Sequence, residues 1–169
     1  MTASPWEHPQ TLVPKMVWTL LHAPRARVLD IGGGSGIVGV PNWPSLFTFM
    51  VLDAFPYRPN DEGFTCGNGM DAEAIFGAKS YDIVMMFEVI EHLPKEDGPR
   101  LLAAAERVAR CLVIGSTPHG FAYQPPLFGN PHQEHLSGWC HTELEPLGYD
   151  VHGNGGTFAA QLIFSKVLA

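Results

Sequence analysis

Runs of apolar residues alternate along the chain with segments in which apolar residues recur at helical spacing. Continuous apolar runs are typical of strands buried on both faces. They predict strands over 28–31, 46–53, 64–67, 81–87 and 111–115, with two closing strands over 149–152 and 158–167. Helical spacing, read with Pro and Gly as boundaries, predicts helices over 13–21 and 97–110, and shorter ones after Gly36, over 69–76 and from Ser137 or Thr142 to Gly148.

This alternation predicts an α/β fold, a Rossmann-like doubly wound sheet of about seven mostly parallel strands with an antiparallel last strand. One connection departs from that plan. Only about a dozen residues, Pro56 and Pro59 among them, separate Asp53 from the third strand, whereas a parallel crossover with its helix usually needs a dozen or more. We therefore expect a shortened second crossover without a helix.

Composition limits the class of protein. A chain of 169 residues that is 46% hydrophobic can bury one core, which predicts a single domain over 1–169 with residues 1–10 as a loose arm. The formal net charge is −7 and the basic residues are scattered, which disfavours a nucleic-acid partner. Three cysteines without Cys-x-x-Cys spacing indicate neither a disulfide framework nor a cysteine zinc site. The sequence shows no apolar run of about 18 residues and no signal-peptide core, so we expect a cytoplasmic protein without a membrane partner.

The first strand stops abruptly in a turn of glycines, in the sequence Arg27-Val-Leu-Asp-Ile-Gly-Gly-Gly-Ser-Gly36. Glycines let a ligand approach the backbone closely. The spacing fits an acid followed by Gly-x-Gly-x-Gly, and it also fits a dinucleotide fingerprint counted from Gly34 through Gly36 to Gly39. The glycine turn alone leaves both interpretations open.

Several polar residues lie just past predicted strands and should converge on one edge of the sheet. They are Asp30, Gly32–Gly36, Asp53, Asn68, Glu88 and Ser116. Asp53 follows Gly36 by 17 residues, where a carboxylate can accept hydrogen bonds from both ribose hydroxyls of a nucleotide. Both interpretations of the glycine turn use Asp53 in this way, so it does not separate them.

A second motif favours one interpretation. The stretch Asp82-Ile-Val-Met-Met-Phe-Glu-Val-Ile-Glu-His-Leu93, combined with the glycine turn, resembles class I S-adenosylmethionine-dependent methyltransferases over about residues 28–151. The resemblance implies S-adenosylmethionine as cofactor. It implies as cofactor-binding residues Asp30, Gly32, Gly34, Gly36, Asp53, Ala54, Asn68, Gly69, Met70, Phe87 and Glu88.

The expected reaction is methyl transfer by in-line displacement to a small nucleophilic acceptor, most simply a hydroxyl, which needs a base or a metal to remove its proton. Histidines concentrate between the fourth strand and the last helix, and the catalytic candidates are His92, His119 and His135. The acceptor, a small molecule, should bind beneath the long loop 117–136. Aromatic residues are expected to line that pocket: Phe121, Tyr123, Phe128 and Trp139.

Glu88-x-x-Glu91-His92, together with His135, supplies oxygen and nitrogen ligands that suit Mg²⁺ or Mn²⁺. This set is similar to that of metal-dependent RNA 3′-terminal 2′-O-methyltransferases and of ubiquinone-pathway O-methyltransferases. Without a metal, Glu88 would contact the cofactor, Glu91 would cap a turn and His92 would pack. Methylation of an RNA 3′ end and a non-catalytic S-adenosylmethionine-binding module are the alternative functions.

Overall fold

A seven-stranded sheet forms the centre of the computed structural model, which describes residues 26–35, 47–153 and 161–168. The strands are β1 (Ala26–Ile31), β2 (Phe47–Asp53), β3 (Phe64–Cys66), β4 (Tyr81–Phe87), β5 (Ala109–Pro118), β6 (Asp150–His152) and β7 (Gln161–Val167). Their order is β3-β2-β1-β4-β5-β7-β6. β7 is antiparallel to β5 and β6, and the other neighbouring pairs are parallel. The predicted Rossmann-like sheet with an antiparallel last strand is confirmed.

Among the described residues, helices lie in the connections β3–β4, β4–β5 and β5–β6. The α-helices are α1 (Ala72–Phe76), α2 (Gly98–Val108) and α3 (His141–Leu144), and the 3-10 turns are Gly69–Asp71, Ile90–His92, Pro131–Gln133 and Glu145–Leu147. Pro99 occupies the first turn of α2, where its missing N–H costs no hydrogen bond. The helix ends two residues earlier than predicted, because Ala109 already pairs with Tyr81 in the sheet.

The crossover between β2 and β3 contains no helix in residues 54–63, all of which the structure describes. The chain instead makes turns, one of them closed by the Arg58–Asp61 ion pair at 2.9 Å. β3 nevertheless lies parallel to β2, with Asp53 opposite Cys66. The shortened crossover and the third strand are both confirmed.

The strands are buried on both faces at the centre of the sheet, as their continuous apolar runs predicted. Leu29, Ile83, Val84, Leu112 and Val113 have no exposed surface. β5 is longer than predicted and runs on to Pro118, since Ser116 and Thr117 pair with β7. This extension places two hydroxyl side chains inside the sheet, beside the end of β4.

Some predictions lie outside the described residues. These are the arm 1–10, the helix over 13–21, the short helix after Gly36 and the first residues of the last strand. Within the described ranges, no helix has the length and apolar character needed to cross a membrane.

Candidate active site

The glycine turn folds back onto the end of β2. Gly34 N–H donates to Oδ2 of Asp53 at 2.9 Å, and Phe55 N–H donates to Oδ1 at 2.8 Å. Gly32 and Gly34 have φ angles of +75° and +57°, which glycine adopts without strain. The turn and the carboxylate of Asp53 therefore form one hydrogen-bonded unit at the carboxyl ends of β1 and β2.

Asp30 lies beneath this turn and is 7% exposed. Burial, and then the neighbouring carboxylate of Asp53, raise the pKa of Asp30 to about 7. A β-carbon at Gly33 would overlap the Asp30 carboxyl group, so the turn can lie this close only with glycine at that position. At neutral pH a substantial fraction of Asp30 is protonated and can donate a hydrogen bond.

The residues that follow β3 lie beside Asp53. Gly67 N–H donates to the Asp53 carbonyl at 2.9 Å. The side chain of Asn68 caps the next turn by accepting from Met70 N–H at 2.9 Å. A side chain at Gly69 would overlap Ile31 and Leu101. Of the other cofactor residues implied by the sequence, Ala54 is exposed, and Gly36 lies outside the described residues.

Glu88 directly follows β4 and is held by Ser116 of β5. Ser116 Oγ donates to Glu88 Oε1 at 2.6 Å, and Glu88 N–H donates to the Ser116 carbonyl at 3.0 Å. The φ angle of Glu88 is +55°, a left-handed conformation that costs a non-glycine residue about 1–2 kcal/mol. Phe87, half-buried, pairs with Ser116 in the sheet. Strain of this kind occurs often at functional sites.

Glu91, His92 and His135 form a compact cluster next to Glu88. One ligand atom from each residue lies within 4.8 Å of the other two. Glu91 is 1% exposed, and neither carboxylate oxygen makes a well-aligned hydrogen bond, although the Thr117 hydroxyl, itself without such a bond, lies nearby. Burial, and then the nearby Glu88 carboxylate, raise the pKa of Glu91 to about 8, with its own backbone and the Thr117 hydroxyl opposing the shift. A buried carboxyl group without a hydrogen bond is costly, and strain, a catalytic role, or a bound water or ion explains such a group in other proteins.

Each of the two histidines bonds a backbone carbonyl, and this contact sets its tautomer. Nδ1 of His92 lies 3.0 Å from the Glu134 carbonyl, and Nδ1 of His135 lies 2.6 Å from the Ala122 carbonyl. Because a carbonyl only accepts, Nδ1 is the protonated nitrogen in each neutral ring and Nε2 keeps its lone pair. Burial lowers the pKa of His92, which favours its neutral form.

The polypeptide that carries His135 is anchored at the cluster. The carbonyl of Glu91 accepts from the N–H groups of Leu136 and Ser137 at 2.8 and 3.0 Å. Trp139 Nε1 donates to the Ile90 carbonyl at 3.2 Å. These bonds join the end of loop 119–136 to the turn that follows β4, which explains why residues far apart in sequence meet here.

Trp139 is fixed on its other side by α2 and the segment before it. Lys95 Nζ lies 3.6 Å from the centre of its ring and pairs with Glu143 at 2.8 Å. A β-carbon at Gly98 would overlap the ring. The first residue of α2 is thus a packing surface for Trp139.

Other predicted site residues lie elsewhere. His119 packs against His141 with ring centroids 5.2 Å apart, and it does not belong to the Glu91 cluster. The prediction of a shared aromatic pocket is wrong. Trp139 is a core residue that is 2% exposed, whereas Phe121, Tyr123 and Phe128 are 61%, 79% and 95% exposed.

A pair that the sequence did not single out for chemistry links two parts of the site. Asn130 Nδ2 donates to the hydroxyl of Tyr57 at 2.7 Å. Asn130 is 1% exposed although it lies near the tip of a long loop. In the sequence, Asn130-Pro131 stood out only as part of the resemblance to metal-dependent RNA 2′-O-methyltransferases, and nothing there indicated the contact with Tyr57.

Comparison with known proteins defines the class to which this fold and site belong. Residues 6–137 match a family model described as a methyltransferase domain. The chain matches no curated protein. The fold resembles the CurJ carbon methyltransferase (TM-score 0.64, 12% identity, 95% of this chain and 53% of that one) and a SAM-dependent methyltransferase from Archaeoglobus fulgidus (0.60, 16%, 94% and 94%). It also resembles magnesium protoporphyrin IX methyltransferase from Synechocystis PCC 6803 with bound SAM (0.60, 17%, 95% and 79%).

The seven-stranded sheet and the glycine turn are therefore those of a class I S-adenosylmethionine-dependent methyltransferase. The chain belongs to the methyltransferase-domain family, as its two motifs indicated. It spans about half the length of the CurJ chain. The structural relatives differ in what their names say they methylate, so the acceptor has to be argued from this chain's own residues.

Proposed function

We propose that this domain transfers the methyl group of S-adenosylmethionine to a hydroxyl group of a small acceptor, assisted by a divalent cation. The observation that carries the proposal is the buried carboxyl group of Glu91, without a hydrogen bond, within 4.8 Å of a ring nitrogen of each of two histidines. An enzyme that methylates carbon or nitrogen has less need of such a set, whereas a neutral hydroxyl is a poor nucleophile until its proton is lost.

The donor set fits Mn²⁺ better than Mg²⁺, because two imidazoles suit a transition metal whereas Mg²⁺ prefers oxygen ligands. One carboxylate and two neutral imidazoles would hold the ion, and each imidazole is oriented by a backbone carbonyl on its other nitrogen. Ligand atoms on opposite sides of such an ion lie roughly 4.2 Å apart. The three ligand atoms of the cluster all lie within 4.8 Å of one another. Glu88, the fourth candidate from the sequence, is engaged by Ser116 and borders the cluster.

The cation would hold the acceptor oxygen and lower the pKa of its hydroxyl. The chain's own residues do the rest. Asp53 and the glycine turn hold the cofactor at the ends of β1 and β2, while His135 and the loop that carries it delimit the acceptor side. In that reaction the acceptor oxygen would gain the methyl group and lose its proton to water, and the cofactor would leave as a neutral thioether. Catalysis then consists mainly of holding the two reactants in line.

A second acceptor class is the 3′-terminal ribose of an RNA, which the resemblance of the Glu88-x-x-Glu91-His92 motif favours. The charge of the chain argues against it. The net charge is −7 and the segment 117–136 has no lysine or arginine, whereas RNA binding depends on neutralising phosphates. We therefore place the small hydroxylated acceptor first.

The test is transfer of a labelled methyl group from S-adenosylmethionine to a panel of hydroxylated compounds, including diols, phenols, sugars and a short RNA. The protein is measured after chelation and after return of Mn²⁺ or Mg²⁺. We expect transfer that disappears on chelation and returns with metal. Glu91→Gln and His135→Ala should lower it by more than about 10-fold, and His119→Ala, outside the cluster, should retain it.

Transfer that is insensitive to chelation and unaffected by Glu91→Gln would overturn the metal-assisted mechanism. Transfer to the RNA alone would replace the proposed acceptor class. A protein that binds the cofactor but methylates nothing in the panel, with or without metal, would favour the non-catalytic module.

A further inference from the structure

Two segments on opposite sides of the cofactor site are joined by one side-chain hydrogen bond. Tyr57 lies four residues after β2, and Asn130 lies in the loop that follows β5. Their 2.7 Å hydrogen bond is called the Tyr57–Asn130 bridge below. β1 and β4 separate β2 from β5 in the sheet.

The bridge therefore spans the carboxyl ends of β1 and β4. Neighbouring strands lie about 4.8 Å apart, so the two segments start roughly 14 Å from each other. The glycine turn follows β1, and Glu88 follows β4. A cofactor held by this turn would lie between the sheet edge and the bridge.

Both residues of the bridge are held by contacts within or beside their own segments. The side-chain oxygen of Asn130 accepts from His132 N–H at 2.8 Å, and Asn130 N–H donates to the Leu127 carbonyl at 2.9 Å. The loop tip around Asn130 is thus a folded unit. The Tyr57 ring lies against the glycine turn, close enough that a β-carbon at Gly34 would be 3.8 Å from it.

The loop has a firm attachment on its other side. The Glu91 carbonyl holds Leu136 and Ser137, and His92 bonds the Glu134 carbonyl. Opening the Tyr57–Asn130 bridge would leave these bonds intact, so the loop tip can swing away from the glycine turn about the segment near Glu134. The loop tip, by contrast, is joined to the segment after β2 by one side-chain hydrogen bond, from Asn130 to Tyr57, among the described residues.

We infer that the Tyr57–Asn130 bridge is a gate across the cofactor site. It opens to let S-adenosylmethionine and S-adenosylhomocysteine pass, and it closes to hold the loop tip around Asn130 over the sheet edge. Tyr57 is then a positioning residue that acts through Asn130. The inference rests on the cofactor site and does not require the proposed acceptor or metal.

The test is the rate of S-adenosylhomocysteine binding and release, measured by stopped-flow mixing without acceptor or metal. Tyr57→Phe removes the hydroxyl and keeps the ring. Because a gate limits passage in both directions, we expect both rate constants to rise by roughly two- to tenfold, the range that corresponds to losing one hydrogen bond. Tyr123→Phe, on the exposed part of the same loop, should leave both rates unchanged.

A purely structural role for Tyr57 would lower the melting temperature and weaken binding without accelerating association. That outcome, or unchanged rates in Tyr57→Phe, would overturn the gate. Asn130→Ala should accelerate both steps as well, and adding Tyr57→Phe to it should produce no further increase, since the bridge is already gone; independent, additive effects would contradict the inference. Affinity of the unmodified chain for S-adenosylhomocysteine tests the cofactor site separately.

Discussion

His92 and His135 meet edge to face, with ring centroids 4.7 Å apart. One follows β4 and the other ends the loop after β5, and each bonds a backbone carbonyl through Nδ1. Each ring therefore keeps a lone pair on Nε2, and one ring nitrogen of each histidine lies within 4.8 Å of a Glu91 carboxylate oxygen. We expect this pair to bind a metal ion more tightly than two surface histidines would, because the carbonyl contacts already fix both tautomers.

Mn²⁺ should raise the melting temperature of the protein. Binding to the native state alone stabilises it, and ligand at 100 times its Kd contributes about 2.7 kcal/mol, or roughly 5–11 °C at this size. Differential scanning fluorimetry with and without Mn²⁺ measures this shift. Glu91→Gln and His135→Ala should abolish it and His119→Ala should keep it; equal shifts in all four proteins would exclude the cluster as the binding site.

Asp53→Ala should weaken S-adenosylhomocysteine binding by about tenfold or more, the usual loss when a hydrogen bond to a charged group is removed. The variant loses the acceptor for Gly34 N–H and Phe55 N–H as well as any contact with a ribose. Isothermal titration calorimetry measures the affinity. Asp61→Ala, an exposed acid of the next turn, is the matched control, and equal affinities in both variants would remove Asp53 from the site.

Glu88→Gly should be more stable than Glu88→Ala, by about 1 kcal/mol. Both variants lose the carboxylate that bonds Ser116, and only glycine adopts a φ angle of +55° without strain. Urea unfolding compares the two. Equal stabilities would mean that the backbone at this position relaxes, and an alanine variant that is the more stable would contradict the left-handed conformation.

The stability of the cofactor-free protein should fall as the pH rises from about 4 to above 7, partly because of Asp30. Its pKa is raised from 3.8 to about 7 in the folded state, so the folded protein retains a proton that the unfolded chain has lost over this window. Asp30→Asn cannot lose that proton. The free energy of unfolding of the variant minus that of wild type should therefore be larger at pH 8 than at pH 5. Melting curves across this range provide the measurement, with the exposed Asp71→Asn as control; the same pH dependence in all three proteins would contradict the assignment.

The fold was predictable where local sequence determines it. Apolar runs marked the central strands, because a parallel sheet between helices buries both faces. The absence of a helix between β2 and β3 was predictable because the connection between these strands is short. The limits of β5 were not predictable in this way, since Ser116 and Thr117 join the sheet through pairing with β7, far along the chain.

The candidate site was predictable only in part. The spacing of Glu88, Glu91 and His92 indicated a cluster, and His135 was correctly named as its distant member. The left-handed conformation of Glu88 and its bond to Ser116 carry no local signature. The aromatic pocket failed because Trp139 bonds the Ile90 carbonyl and packs in the core, a contact that depends on how the loop end docks.

Gly98 gives this docking an adjustable element. Because Gly98 has no side chain, the Trp139 ring packs directly against the start of α2. The position of this ring determines how far the loop end lies from α2 where it bonds Glu91. A larger residue at position 98 would displace the Trp139 ring and, with it, the loop end that is bonded to Glu91, as a thicker spacer would. The geometry of the Glu91 cluster can therefore be altered from a helix whose own residues are not part of it.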